Sequence, residues 1–65
     1  MNWDIAQGNW KILKGKAKEQ WGKLTDDDLE KIEGHRDQLL GQIQKTYGVT
    51  HEEAESQIKE WEDRN

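Results

Sequence analysis

The chain is 65 residues long and has no cysteine, so it is read as one domain, residues 1–65, that folds without disulfides and offers no thiolate for a metal. Only 31% of its residues are hydrophobic and 37% are charged, a balance close to that of disordered chains, against which four tryptophans supply large apolar surfaces for a core. The net charge of −4 argues against a general nucleic-acid binder, and no apolar run approaches the roughly 18 residues needed to span a membrane.

The start, Met1-Asn2-Trp3-Asp4, lacks the basic and apolar regions of a signal peptide, so a cytoplasmic location is expected. From there Trp3, Ala6, Trp10, Leu13, Ala17, Trp21 and Leu24 recur at three- and four-residue steps, which predicts one long first helix with these residues on its core face. Gly8, Gly15 and Gly22 repeat every seventh residue on another side, near Ile5 and Ile12. They either let another backbone come close or simply weaken the helix. Lys11, Lys14 and Lys18 share a third face beside Trp10 and Trp21.

A motif then occurs twice, as Trp21-Gly22-Lys23-Leu24-Thr25-Asp26-Asp27-Asp28-Leu29 and as Tyr47-Gly48-Val49-Thr50-His51-Glu52-Glu53-Ala54. Each copy predicts a helix end closed by a left-handed glycine, followed by a helix start capped by threonine. Asp28 and Glu53 complete approximate capping boxes, and Leu24 with Leu29 and Val49 with Ala54 stand at hydrophobic-staple positions. Between the copies, a short helix from Asp26 to about Glu33 is interrupted at Gly34, and a third helix presents Leu39, Leu40, Ile43 and Tyr47. A fourth presents Ala54, Ile58 and Trp61, while Leu29 and Ile32 complete the apolar set. The predicted fold is all-α, a four-helix bundle of two helical hairpins.

Catalytic chemistry finds no foothold in these residues. His35 and His51 are the only imidazoles, and the run from His51 does not complete H-E-x-x-H. Asp26-Asp27-Asp28 lacks the alternating ligands and central glycine of a calcium loop and reads as dipole-favoured helix-start charge. Ser56, the one serine, has no histidine at a suggestive spacing, and the six glycines form no phosphate-binding loop. No enzyme activity, cofactor or metal site is expected.

Binding remains. Residues 1–23 carry a net +3 and residues 24–65 a net −7, which reads first as complementarity within the fold. Lys11, Lys14 and Lys18 beside tryptophan could meet phosphates and stacked bases, or lie on an anionic membrane, but net acidity and the need for those indoles in the core disfavour both. An unidentified protein partner, met through the lysine face or through the side carrying Gly8 and Gly15, is the open reading. The chain itself is expected to be monomeric.

The run Gly8-Asn9-Trp10-Lys11-Ile12-Leu13-Lys14-Gly15-Lys16-Ala17-Lys18-Glu19-Gln20-Trp21-Gly22-Lys23-Leu24-Thr25-Asp26-Asp27-Asp28-Leu29 resembles the signature of the CsbD-like family of small bacterial stress-response proteins. Ile32-Glu33-Gly34, Arg36-Asp37-Gln38-Leu39, Gly41-Gln42-Ile43-Gln44, Tyr47-Gly48, Ala54-Glu55, Ile58 and Trp61-Glu62 are similar to the second half of proteobacterial members. The resemblance implies a role in the general stress response and a bundle of two roughly orthogonal hairpins, like the SAM domain. It carries over no catalytic or binding residue. The expectation is a non-enzymatic stress-response protein acting by protein contact, or else a hydrophilic protectant.

Overall fold

A computed structural model describes residues 1–65 as five helices: α1 (Trp3–Gly8), α2 (Trp10–Gln20), α3 (Asp26–Ile32), α4 (Arg36–Tyr47) and α5 (His51–Arg64). The long first helix of the sequence reading is thus two helices, broken at Asn9, whose φ of −116° and ψ of 23° leave the helical region. Gly8 and Asn9 are both weak helix formers, and the Asn9 N–H closes α1 by donating to the Ile5 and Ala6 carbonyls. The apolar stripe runs across the break without losing phase, because one off-helix residue does not disturb three- and four-residue spacing.

The two motif copies end their helices differently. After α4, Gly48 takes the left-handed conformation at φ 65° and donates to the Gln44 carbonyl, as the spacing predicts. After α2, Gly22 does not: left-handed φ is confined to Glu33, Gly34 and Gly48. There the Lys18 ammonium donates to the Gly22 and Leu24 carbonyls, and the Leu24 N–H donates to the Trp21 carbonyl at 3.1 Å. A long cation and a tight turn satisfy the loop carbonyls, so the glycine's freedom is not used.

Both threonine caps form. The Thr25 hydroxyl accepts the Asp28 N–H and the Asp28 carboxylate accepts the Thr25 N–H, each at 3.1 Å, closing the box with the shorter acid. These bonds hold the Asp28 carboxyl below the usual carboxylate range. Thr50 accepts the Glu53 N–H at 3.1 Å, and that cap has only this one arm.

One core joins α2 to α5: Trp10, Ala17, Trp21, Leu24, Leu29, Ile32, Leu39, Ile43, Ala54, Ile58 and Trp61 are buried together, with Trp3, Leu13, Leu40, Tyr47 and Val49 packed at its margin. The Trp61 ring lies 5.4 Å from that of Trp21 and 6.0 Å from that of Trp3. The buried indole N–H of Trp10 donates to the Leu29 carbonyl at 2.7 Å, and that of Trp21 to the Gln57 side-chain oxygen at 2.9 Å.

α1 is fastened at two points. Ala6 is fully buried, and its stretch of backbone lies so close to Gly34 that a Cβ there would sit 2.6 Å from the Gln7 Cα. The close-approach glycine is therefore Gly34. At the other point the Trp3 indole donates to Glu62 at 3.2 Å, and Glu62 also accepts from the Arg36 Nε at 3.2 Å. Arg36 grips Glu55 with both terminal nitrogens, at 2.6 and 3.1 Å, so one guanidinium links α4 to α5. The Glu55 bond raises the Arg36 pKa, and the guanidinium holds the Glu55 carboxyl below its ordinary range.

Two expected outcomes follow from these contacts. Gly34→Ala combines a left-handed φ of 80° with a clash against backbone and is expected to cost at least about 2 kcal/mol. Gly15→Ala, with nothing within 4 Å of the new Cβ, is expected to stabilise by up to about 1 kcal/mol; urea titrations followed by tryptophan fluorescence measure both. A folded pKa below the unfolded one means that the Glu55 pairing is fully present above the unfolded carboxylate value, about 4.3, and is lost as pH falls through the folded value. The gap in melting temperature between wild type and Arg36→Gln is accordingly expected to narrow from pH 7 to pH 3, and an unchanged gap would remove the ion pair from the account.

Candidate functional site

The three lysines singled out in the sequence do share a face of α2, and the fold turns that face toward α3. Lys14 pairs with Glu30, which raises the lysine pKa and lowers that of the carboxyl through their shared hydrogen bond. Lys18 is spent on the two loop carbonyls. Lys11 is exposed and adds its field to the Glu30 carboxylate. Of the three, only Lys14 is ion-paired; Lys18 gives hydrogen bonds to uncharged carbonyls and Lys11 stays free, so the face keeps part of its positive charge.

The glycine side is arranged differently. Gly8 and Gly15 are exposed, and a Cβ on either would meet no atom within 4 Å, so no part of the chain comes close to them. No backbone of this chain makes the close approach at Gly8 or Gly15, and the side stays open. Ile5 and Ile12 stand beside them at 60% and 69% exposure, and Met1 is also exposed; no other large apolar side chain is. Met1, Ile5, Ile12 and Leu13 are the main apolar walls of a shallow groove of about 320 Å³ where α1 meets α2.

The sequence places these isoleucines on the glycine side, but only Gly8 and Gly15 were counted there as candidate contact residues. The signal was present: Ile5 and Ile12 are seven apart and off the core stripe, so the helix that buries Trp10 and Ala17 must turn Ile12 outward. With Met1 and Leu13 these isoleucines make a contiguous apolar strip on an otherwise very polar surface.

A second depression of similar volume lies between the ends of α2 and α5, walled by Lys16, Glu19, Gln20 and Arg64, with Trp61 as its one apolar member. Its Arg64 guanidinium already donates to the Gln20 side-chain amide oxygen at 2.6 Å. His35 and His51 are exposed at the starts of α4 and α5, and no three His, Asp or Glu side chains are grouped to hold a metal ion. No helix is long and apolar enough to cross a membrane.

Comparison with known proteins gives a consistent result. The family model described as CsbD-like matches residues 4–56. The chain is 66% identical over 65 residues to a UPF0337 protein of Pectobacterium atrosepticum, and 62% identical over 65 residues to the UPF0337 protein YjbJ of Escherichia coli; each alignment covers 100% of this chain and 94% of the relative. A UPF0337 protein of Pseudomonas aeruginosa is 48% identical over 64 residues, covering 98% of both chains. With the match extending from α1 into α5, the chain belongs to the CsbD-like family.

Proposed function

We propose that this is a cytoplasmic, non-enzymatic protein of the bacterial general stress response that works through protein-protein contact, and that the contact surface is the open side of α1 and α2. The observation that carries the reading is the outward placement of Ile5 and Ile12 beside two side-chain-free positions, Gly8 and Gly15, in a chain that buries or half-buries every other large apolar group except Met1. Contiguous exposed apolar patches mark contact surfaces, and Ile5 and Ile12 line one groove with Met1 and Leu13. The stress role is what membership of the family suggests.

The competing reading is a hydrophilic protectant that works by abundance, favoured by a mean hydropathy of −1.30. Nucleic-acid binding through Lys11, Lys14 and Lys18 draws less support, since Lys14 and Lys18 already have partners. Complementation separates the two main readings. In a deletion strain with a survival defect under stress, Ile5→Gln/Ile12→Gln protein is expected to fail to restore survival at wild-type abundance and melting temperature. A protectant would restore it in proportion to its amount, and full rescue by the double variant would reject the contact surface.

A further inference from the structure

We infer that the partner offers this surface an acidic segment: an apolar side chain seats between Ile5 and Ile12, and flanking carboxylates pair with Lys11, Lys16 and the Met1 ammonium. The inference rests on the contact reading above and names the chemistry of the partner.

Charge carries it. Next to the two isoleucines stand the Met1 ammonium, Asp4, Lys11 and Lys16, three cations against one carboxylate. Lys11 adjoins Ile12 in the chain, and Lys16, four residues on, lies one turn along the same side of α2. Both lysines are exposed and neither has an ion pair. The carboxylate that feels the field of Lys11, Glu30, is already bound by Lys14, so the fold leaves the Lys11 charge over. Glu19, two turns from Ile12, belongs to the second depression. The exposed apolar side chains thus lie where positive charge is unanswered, in a chain whose net charge is −4. Complementary potential favours partners of opposite sign and suppresses those of like sign, so the fitting partner is acidic.

Shape separates one acidic surface from another. Met1, Ile5, Ile12 and Leu13 wall a concave space of about 320 Å³, which takes in a projecting side chain. A bilayer is instead entered by side chains that project from the protein. An anionic bilayer would also lie beneath the whole molecule, 28 × 24 × 18 Å in extent, and so meet the −7 of residues 24–65, whereas a segment touches α1 and α2 alone. Nucleic acid is anionic too, but every indole is buried or half-buried against the core, leaving none free to stack on a base. A second copy fails on both counts. Its own face of Ile5 and Ile12 brings the same cations, and its acidic half exposes no large apolar side chain.

The test uses fluorescein-labelled peptides of roughly 15 residues, about four helical turns. One combines leucines on one helical side with glutamates beside them, a second has lysine in place of glutamate, and a third has serine in place of leucine. Anisotropy is read against added protein. Wild type is expected to bind the leucine–glutamate peptide at least about tenfold more tightly than either of the others, and less tightly as salt rises. Ile5→Gln/Ile12→Gln is expected to lose at least about tenfold of that affinity, with an unchanged melting curve because both positions lie outside the core. Lys11→Glu/Lys16→Glu is expected to reverse the preference toward the lysine peptide. Lys45→Glu/Lys59→Glu, the same change of net charge at exposed positions of α4 and α5, is expected to keep it. No binding of the leucine–glutamate peptide by wild type, equal binding of the lysine peptide, equal binding by the Gln variant, or an unreversed preference in Lys11→Glu/Lys16→Glu overturns the inference. So does attachment to phosphatidylglycerol vesicles in place of the peptide, or a dimer in sedimentation that the Gln variant abolishes. Should the Gln variant fail to rescue stressed cells while Lys11→Glu/Lys16→Glu rescues them in full, the contact surface stands and its acidic partner falls.

Discussion

The packing of indole rings between helices is the interaction on which this fold depends. With 37% of residues charged, the chain has few apolar side chains, and tryptophan gives the most buried area per residue. Trp61 of α5 touches Trp21 at the end of α2 and Trp3 of α1, so three parts of the chain far apart in sequence meet at one cluster. Each burial carries a polar N–H that must be satisfied. Three of the four indoles meet it across elements: Trp10 donates to the Leu29 carbonyl, Trp21 to the Gln57 side chain and the half-buried Trp3 to Glu62. The same residues thus supply area and fix orientation, which is how a domain of this size keeps a defined core without disulfides or metal.

What could be read from the sequence was mostly what is local. The stripe from Trp3 to Leu24 and the apolar positions of α3, α4 and α5 all lie in the core or at its margin, because helical periodicity needs only one helix to express it. Thr25 and Thr50 cap their helices for the same reason: the donor and acceptor are three residues apart. The break at Asn9 escaped because a single non-helical residue preserves the phase of the stripe. The end of α2 was misread at Gly22 because the group that satisfies its carbonyls, Lys18, belongs to the preceding turn and reaches over the loop. Gly34 was seen only as an interruption; that Gln7 would press against it depends on how α1 folds back, a long-range fact.

The surface divides along the same line. That Lys11, Lys14 and Lys18 share a face was legible, but Glu30, sixteen residues from Lys14, becomes its partner only when α3 packs on α2. The open side of α1 and α2 followed from periodicity alone: a helix that points Trp10 and Ala17 inward has no choice but to point Ile12 outward. What periodicity could not say is whether another part of the chain would cover it, and none does. Core and open apolar side are therefore two faces of one helical arm, and the positioning of the first by the indoles determines the exposure of the second.

Iodide quenching of tryptophan fluorescence in native buffer tests that arrangement most directly. Trp10, Trp21 and Trp61 are buried and Trp3 is half-buried, so quenching is expected to be confined to a minor fraction of the emission and to become general only after denaturation. If the emission of all four indoles is quenched in the native protein as in the unfolded chain, the rings do not form the core, and the placement of Ile5 and Ile12 on an open face loses its basis.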